Sequence, residues 1–303
     1  MNRKITRVAI LAICIITSIF LISKEAHSYE LNFQLNPAFL IIIFSTHFIF
    51  LLIHTKRFQI TIQTISNIKI NFWPWVCKIS STRLLNNLIP QSGNTVRAIE
   101  LKQENALAYK DYSISVGLLA WLDCIINLTI AIIIISIFTT KYMTIITLLL
   151  LLLTVLIAPK AITLLSQSFD PKNENLIPRF FLYINDKISS LSNTKNELYA
   201  ISLLGAISFA LMSIRLYCGF YITGQEISIP DLLVIHAALK TVLLFSIIPG
   251  NIVVQGFFAG LTTKLVGVGF TEGVIASIFL QICGYILLGF ISFISFCYEI
   301  SRK

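Results

Sequence analysis

Charged side chains stand inside long apolar stretches of this sequence, where a charge needs a partner or access to water. Asp123 lies well inside the apolar segment 113–138, and Arg215 lies deep in the segment 199–222. A charge at the bilayer centre costs about 2.5–3.5 kcal/mol on insertion scales, so such residues face the protein interior or a wet cavity. We expect Asp123 to pair with Arg215 or Lys240, and all three to line a ligand site; the alternative is a buried ion pair that fixes helix register.

A histidine and a lysine share one face of the segment 231–248, because His236 and Lys240 are four residues apart. We expect His236 to be a core residue that is hydrogen-bonded to a neighbour, with a pH-linked role as the alternative. Lys264 lies near the end of the segment 252–268, where a long side chain can reach the membrane surface.

The first break in an apolar pattern is the stretch LIPQSGNTVRAIELK, residues 88–102. Pro90 and Gly93 interrupt the chain there, because proline has no amide donor and glycine loosens the backbone. Arg97 and Lys102 follow on a predicted short helix. The pattern is typical of a plain surface loop, and an anion site that includes Pro90, Gly93, Arg97 and Lys102 is the functional hypothesis.

The second break is the stretch SIIPGNIVVQG, in which Pro249, Gly250 and Asn251 separate two apolar segments. Non-helical backbone at membrane depth is tolerated only where it is buried in protein or lines a wet cavity. Asn251 is a candidate cap for the following helix, as Ser92 and Asn94 are at the first break. A helix N-terminus carries partial positive charge and free N–H donors, which suit an anion.

The elements that must position these residues are membrane-spanning helices. The chain has 303 residues, of which 56% are hydrophobic and 12% charged, and its mean hydropathy is +0.84. Soluble domains carry about 25% charged residues. We therefore predict an all-α, polytopic helical membrane bundle with re-entrant or broken helices. The eight predicted spans are 7–23, 36–54, 113–138, 142–163, 199–222, 231–248, 252–268 and 272–297, and residues 70–90 are predicted to form an interfacial or re-entrant helix.

The distribution of basic residues predicts the topology. Lys and Arg flank the first span, the second span and the C-terminus, which places both termini in the cytoplasm if 252–268 crosses the bilayer. If 252–268 re-enters instead, the C-terminus lies outside. The first span also resembles a signal peptide, so cleavage is the alternative to a retained anchor. We expect the inner (plasma) membrane as the location.

Other functional classes lack their signatures in this sequence. The six cysteines form no CxxC pair, and we find no HExxH, no phosphate loop and no Ser/His/Asp arrangement with supporting context. We therefore expect no metal and no cofactor, and a transporter-like protein rather than an enzyme. The net charge of +9 fits cytoplasmic loops better than a nucleic-acid-binding face, so we expect no nucleic-acid partner.

Two motifs give the chain a resemblance to a known family. IPQSGNTVRAIELK with LAYKDY, followed by IIPGNIVVQG and a last span, resembles the flippase-like membrane domain of lysylphosphatidylglycerol synthases and its stand-alone relatives. The family's motifs run Pro-x-x-Gly-Glu-x-x-Arg and Pro-Gly-Asn/Gly-hydrophobic-Gly-x-x-Glu. The matching positions are Pro90, Gly93, Arg97, Leu101, Lys102, Tyr109, Pro249, Gly250 and Asn251.

Three positions depart from the family pattern. Asn94 replaces the first motif's acid, Val253 stands where a glycine is usual, and Gly256 stands where a glutamate is usual. The lost carboxylates argue against proton coupling or cation binding at those positions and leave anion recognition by Arg97 intact. The resemblance implies one flippase-like transmembrane domain over residues 1–303.

The sequence thus predicts a protein that binds an anionic lipid or a lipid-linked phosphate and translocates it between bilayer leaflets. The alternative is a membrane-embedded transferase, or an accessory subunit of one, in lipid-linked glycan or phospholipid synthesis, for which Glu226 and Asp231 are the candidate acids. A third reading is a structural partner of envelope-synthesis proteins, and a homo-oligomer is also compatible with the sequence.

Overall fold

The fold is built from α-helices. A computed structural model describes residues 36–88, 92–138, 194–244 and 251–300, and no strand occurs within those ranges. The eight helices there are α1 (Pro37–Ser66), α2 (Phe72–Leu88), α3 (Ser92–Asn105), α4 (Tyr109–Phe138), α5 (Lys195–Ile222), α6 (Ile229–Leu244), α7 (Asn251–Leu265) and α8 (Phe270–Ile300). The predicted helical membrane bundle is confirmed.

Among the described helices, four are long and apolar enough to cross a bilayer: α1, α4, α5 and α8. The predicted spans 7–23 and 142–163 lie outside the described residues. The other two predicted spans correspond to α6, described over 16 residues, and α7, of 15 residues. At 1.5 Å per residue, α7 is about 22 Å long, which is shorter than a bilayer core of about 30 Å.

Helix α1 is longer than predicted. Asn36 caps its start, since Asn36 Oδ1 accepts the Ala38 N–H at 3.0 Å. The predicted span ends at residue 54, whereas the helix continues past Lys56 and Arg57 to Ser66, and Arg57 is buried with 2% exposure. The helix ends where Asn67 adopts a left-handed conformation with φ 57°, a common end for helices.

The predicted interfacial or re-entrant helix at 70–90 forms α2, which leads into α3 across the first break. The N-terminal N–H groups of α3 are held by a side chain from α2, since Asn86 Oδ1 accepts from Gly93 N at 2.7 Å and from Asn94 N at 3.3 Å. Ser92 Oγ donates to the Leu85 carbonyl at 2.9 Å. The connection between the two helices is therefore fixed by hydrogen bonds between their ends.

The chain divides into two compact units. The first takes its residues from Met1–Leu52, Trp73–Arg97 and Ser208–Lys303. The second takes them from Ile53–Phe72 and Ala98–Ile207. The core of the first unit is apolar and includes Ile43, Leu216, Phe220, Ile222, Leu232, Ile235, Ala276 and Leu280.

In the first unit, α7 and α8 form a tight helical hairpin. A turn with Gly267 at φ 87° joins them, and Thr263 Oγ1 lies 2.9 Å from the Gly269 carbonyl oxygen. The two helices approach closely at small residues, because a Cβ on Gly260 would lie 2.8 Å from the Phe270 carbonyl oxygen. Small residues allow such close packing of membrane helices. The hairpin is therefore a compact pair that forms two walls of the cavity described below.

Candidate functional site

A cavity of about 100 Å³ lies among α5, α6, α7 and α8 in the first unit. Two cations that the sequence singled out, Arg215 and Lys240, both line it. The other lining residues are Met212, Leu216, His236, Leu239, Gln255, Ser277, Leu280 and Gln281. No carboxylate is among these ten residues. The cavity therefore combines basic and neutral polar groups with aliphatic walls.

The guanidinium of Arg215 is buried, with 6% exposure, and reaches from α5 to α8. Its Nη2 donates to the carbonyl oxygen of Leu280, and Nη1 lies 3.9 Å from the Met212 sulfur. Its Nε has no hydrogen-bond partner among the described residues. A buried donor without a partner costs about 1–3 kcal/mol.

His236 is buried and fixed on one side by α5. Its Nδ1 lies 2.7 Å from Ser213 Oγ, and its ring stacks on Phe209 with centroids 4.2 Å apart. This hydrogen-bonded core position is the one predicted from the sequence. Its Nε2 has no hydrogen-bond partner in the part of the chain that the structure describes. His236 thus carries a second buried nitrogen without a partner in the described part of the chain.

Neutral polar side chains from the hairpin complete the lining. Ser277 and Gln281 are four residues apart on α8 and share one face, with Gln281 Nε2 donating to Ser277 Oγ at 3.2 Å. Tyr285, one turn further, lies 3.4 Å from Gln281 Oε1 through its hydroxyl. Gln255 contributes from α7. These groups offer N–H and O–H donors without adding charge.

Aromatic and basic residues lie close to Lys240. The Nζ of Lys240 lies 5.3 Å from the centroid of the Phe50 ring, and the Arg83 guanidinium lies 5.3 Å from the same centroid. A cation over an aromatic face is stabilised by about 0.5–2 kcal/mol. The Phe50 ring therefore helps to hold two cations in the same region of the first unit.

A second buried histidine lies beside Arg215. A Cβ added to Gly284 would be 3.2 Å from both Arg215 Nη2 and His47 Cε1, so both side chains pack against this glycine. His47 is 8% exposed, and neither of its ring nitrogens has a hydrogen-bond partner among the described residues. The buried polar groups of this region thus extend from Arg215 towards α1.

The chemistry of the cavity suits an anion. Two guanidinium or ammonium groups, amide donors and a hydroxyl surround a space without carboxylates. In a low-dielectric setting, phosphate and carboxylate groups are stabilised by such charge-assisted hydrogen bonds. An apolar cavity of about 150 Å³ holds one benzene, so a volume near 100 Å³ matches about four or five non-hydrogen atoms, the size of one phosphate group.

Residues of the first break do not line this cavity. Arg97 is buried, with 4% exposure, and its Nε donates to the Gly93 carbonyl at 3.2 Å, one turn earlier on the same helix. Gly93 packs so closely against α2 that any Cβ would overlap the Thr82 carbonyl oxygen. A packing role thus accounts for Gly93. Pro90 lies outside the described residues.

Two predicted site residues lie in the second unit. Asp123 pairs with Arg57, with Asp123 Oδ1 2.7 Å from Arg57 Nη2, and not with the partners predicted from the sequence. Arg57 Nε also donates to the Ile201 carbonyl at 2.9 Å. The exposed Lys102 places its Nζ 4.4 Å from the centroid of the Tyr109 ring. Asp123 is therefore held in a structural ion pair.

The second break is described only from its last residue. Pro249 and Gly250 lie outside the described residues, and α7 begins at Asn251. Four residues further along α7, Gln255 lines the cavity. The predicted helix start after the break therefore belongs to a helix that forms a cavity wall.

Sequence reasoning missed the neutral polar residues of the site. Gln255, Ser277 and Gln281 carry no charge, so they do not stand out in apolar segments as Arg215 and Lys240 do. The spacing of four between Ser277 and Gln281 is the signal that marks a polar stripe on α8. His47 was also not predicted, because a single histidine gives no such pattern.

Of the acids proposed for a transferase, Asp231 forms hydrogen bonds at the start of its own helix. Asp231 lies in the first turn of α6, where its Oδ2 accepts the Ser228 hydroxyl at 2.5 Å and its N–H donates to Ser228 Oγ at 3.3 Å. Such contacts are typical of a helix start. Within the described ranges, no group of three or more His, Cys, Asp or Glu side chains is arranged to hold a metal ion.

Comparison with known protein families gives a match over most of the chain. The family described as "Lysylphosphatidylglycerol synthase TM region" matches residues 5–292. No curated protein and no solved structure matches the chain. The matched range covers both breaks, the whole of α5, α6 and α7, and α8 as far as residue 292.

Proposed function

The chain belongs to the family of the lysylphosphatidylglycerol synthase transmembrane region, and we propose that it binds the anionic head group of a lipid and moves that lipid between bilayer leaflets. The observation that carries this proposal is the cavity with Arg215 and Lys240 in its lining and no carboxylate. It lies among four helices of a protein that is embedded in the membrane.

The positive charges of the cavity offset the main free-energy cost of moving an anionic lipid across the bilayer. An ionised phosphate that leaves water for hydrocarbon loses its hydration, and the free-energy cost of this loss prevents the lipid from crossing the bilayer unaided. Arg215, Lys240 and the amide donors of Gln255 and Gln281 would replace that hydration along the path. The acyl or isoprenoid chains would stay in the lipid phase.

The size of the cavity indicates how much of the lipid it takes. A space of about 100 Å³ accommodates a phosphate and no large head group. The rest of a larger head group would therefore lie outside this space. The lipid is recognised through its phosphate in this mechanism.

Transport in liposomes tests the proposal. Purified protein is reconstituted with a trace of fluorescent lipid carrying an anionic phosphate head group, and dithionite bleaches the label in the outer leaflet. Active protein exposes the inner-leaflet label, so bleaching exceeds the half that protein-free liposomes show. Lys240→Met, which keeps the aliphatic stem, should lower the rate at least about tenfold, the equivalent of one lost charge-assisted bond.

The matched control is Lys264→Met, a loss of the same charge on α7 at an exposed position outside the cavity lining. It should transport normally. Equal rates for the wild type and Lys240→Met, with both proteins folded, would refute the role of the cavity.

Arg97→Ala measured in the same assay decides whether the first break takes part. A covalently altered lipid among the products would favour the transferase instead.

A further inference from the structure

The positive charges of the cavity belong to side chains that the protein holds in place. Arg215 is 6% exposed and donates from Nη2 to the carbonyl oxygen of Leu280 on α8. Lys240 lies over the ring of Phe50, with its Nζ 5.3 Å from the centroid. Both cations line the cavity. An anion that binds there therefore meets its counter-charge on the protein, and this counter-charge stays behind when the anion leaves.

The neutral polar side chains of the lining are two amides and a hydroxyl. Gln255, Gln281 and Ser277 offer hydrogen bonds, but amides and hydroxyls neither take up nor release a proton near neutral pH. A proton on the ring of His236 would add a third positive charge to a lining that already contains two. Like charges repel, and the same repulsion acts on a metal cation. The lining therefore disfavours a cation that would travel with the lipid.

The acidic residues of the four surrounding helices lie near the helix ends. Glu197, Asp231 and Glu272 are in the first turns of α5, α6 and α8, and Glu299 precedes the last residue of α8. None of them is among the ten lining residues. Carboxylates at membrane depth are typical proton carriers of pumps and transporters. In these four helices, the acidic residues are therefore separate from the cavity.

We propose that the protein moves its anionic lipid without a co-transported cation, so that each crossing transfers the negative charge of the lipid and the membrane potential drives the lipid to the positive side. This inference rests on the proposed function, since it assumes that the cavity is the lipid site. It assigns the driving force of transport, and it gives Arg215 and Lys240 the role of a counter-charge that remains with the protein.

The final distribution of the lipid between the leaflets depends on the charge that crosses. A potential of about 118 mV that acts on one elementary charge shifts an equilibrium about hundredfold. A phosphodiester lipid with one negative charge should therefore accumulate about hundredfold in the leaflet on the positive side. A lipid that crosses together with one proton or one Na⁺ transfers no net charge, so its distribution would not respond to the potential.

Liposomes of phosphatidylcholine with a trace of short-chain fluorescent phosphatidylglycerol test the inference. Valinomycin and an about hundredfold K⁺ gradient set an inside-negative potential of about 118 mV, and K⁺ compensates the charge that the lipid transfers. Albumin then extracts the label of the outer leaflet. The ratio of outer to inner label should rise from near unity without a potential to about a hundred, and an inside-positive potential should invert it.

Two results would overturn the inference. One is a ratio near unity at both polarities, and the other is a ratio that follows a gradient of H⁺ or Na⁺ at zero potential. Lys240→Met should slow the approach to equilibrium and reach the wild-type ratio, because an equilibrium depends on the transferred charge and not on the rate. Lys264→Met should match the wild type in both rate and ratio. A different final ratio in Lys240→Met would show that Lys240 passes a proton to the translocated species.

A carboxylate placed in the lining tests the role of the two cations. Gln255→Glu keeps the size of the side chain and adds a negative charge, so transport of phosphatidylglycerol at zero potential should slow at least about tenfold. Gln255→Leu, which removes the amide and adds no charge, should slow transport less. Equal rates for Gln255→Glu and the wild type would show that the counter-charge does not come from this cavity.

Failure of the proposed function has a different appearance from failure of this inference. Transport no faster than in protein-free liposomes at zero potential would refute the proposed function. Transport at zero potential, with a final ratio that does not respond to the potential, would refute only the uncoupled movement of charge.

Discussion

The buried ion pair of the second unit gives a prediction whose size can be worked out from the structure. Arg57 is 2% exposed and is held by Asp123 Oδ1 at 2.7 Å and by the Ile201 carbonyl at 2.9 Å. Asp123→Asn keeps the shape of the side chain but leaves the guanidinium without its counter-charge. Removing one partner of a buried pair costs about 3–5 kcal/mol. The side chain of Asp123 is 37% exposed, so we expect a smaller loss of about 2–3 kcal/mol.

Unfolding by SDS in mixed micelles, followed by circular dichroism, measures this loss. The double variant Arg57→Met with Asp123→Leu should recover most of the stability, because apolar residues of similar volume often replace a buried pair without penalty. The control Asp111→Asn, in the first turn of the same helix α4, should cost less than about 1 kcal/mol. A loss below about 1 kcal/mol for Asp123→Asn, or a double variant less stable than either single one, would refute the reasoning.

Three further changes have defined outcomes. Gly205→Ala would place a Cβ 2.8 Å from Arg57 Nη2, so the unfolding midpoint in SDS should fall by an amount equal to about 1–3 kcal/mol; an unchanged midpoint would mean that Arg57 has room to move. Gly93→Ala would overlap the Thr82 carbonyl oxygen and should lower the yield of monodisperse protein in detergent, whereas a normal elution profile would contradict the close helix contact. Asn86→Ala removes the cap that this side chain provides and should cost about 1 kcal/mol in thermal unfolding; a cost near zero would show that other groups satisfy the same N–H donors.

The helices could be predicted from the sequence because apolar runs of membrane length specify them directly. The end of α1 could not. A Lys-Arg pair usually marks the membrane surface, but Arg57 is compensated by Asp123, which lies on a different helix far along the chain. A hydropathy pattern contains no information about such a tertiary partner. The same contact is the reason why the predicted partners of Asp123 were wrong.

The site was predictable only where charge made it visible. Arg215 and Lys240 stand out against apolar neighbours, and the structure brings both to one cavity. That they bind a lipid stays a prediction. Gln255 and Gln281 were missed because an uncharged amide barely changes the hydropathy of an apolar segment. The role of Asn86 as a cap for α3 also escaped, since it lies outside the local window in which capping residues are sought.

The cavity lies between two pairs of helices, and the Arg215 side chain forms a hydrogen bond from one pair to the other. Ser213 and His236 bond α5 to α6, while Thr263 and closely packed glycines hold α7 to α8. The bond from Arg215 to the Leu280 carbonyl crosses from the first pair to the second. Separating the two helix pairs to admit a large ligand has to stretch this hydrogen bond. A phosphate that draws the guanidinium away from the Leu280 carbonyl would therefore weaken the link between the helix pairs. The contact that binds the phosphate would be the one that weakens this link.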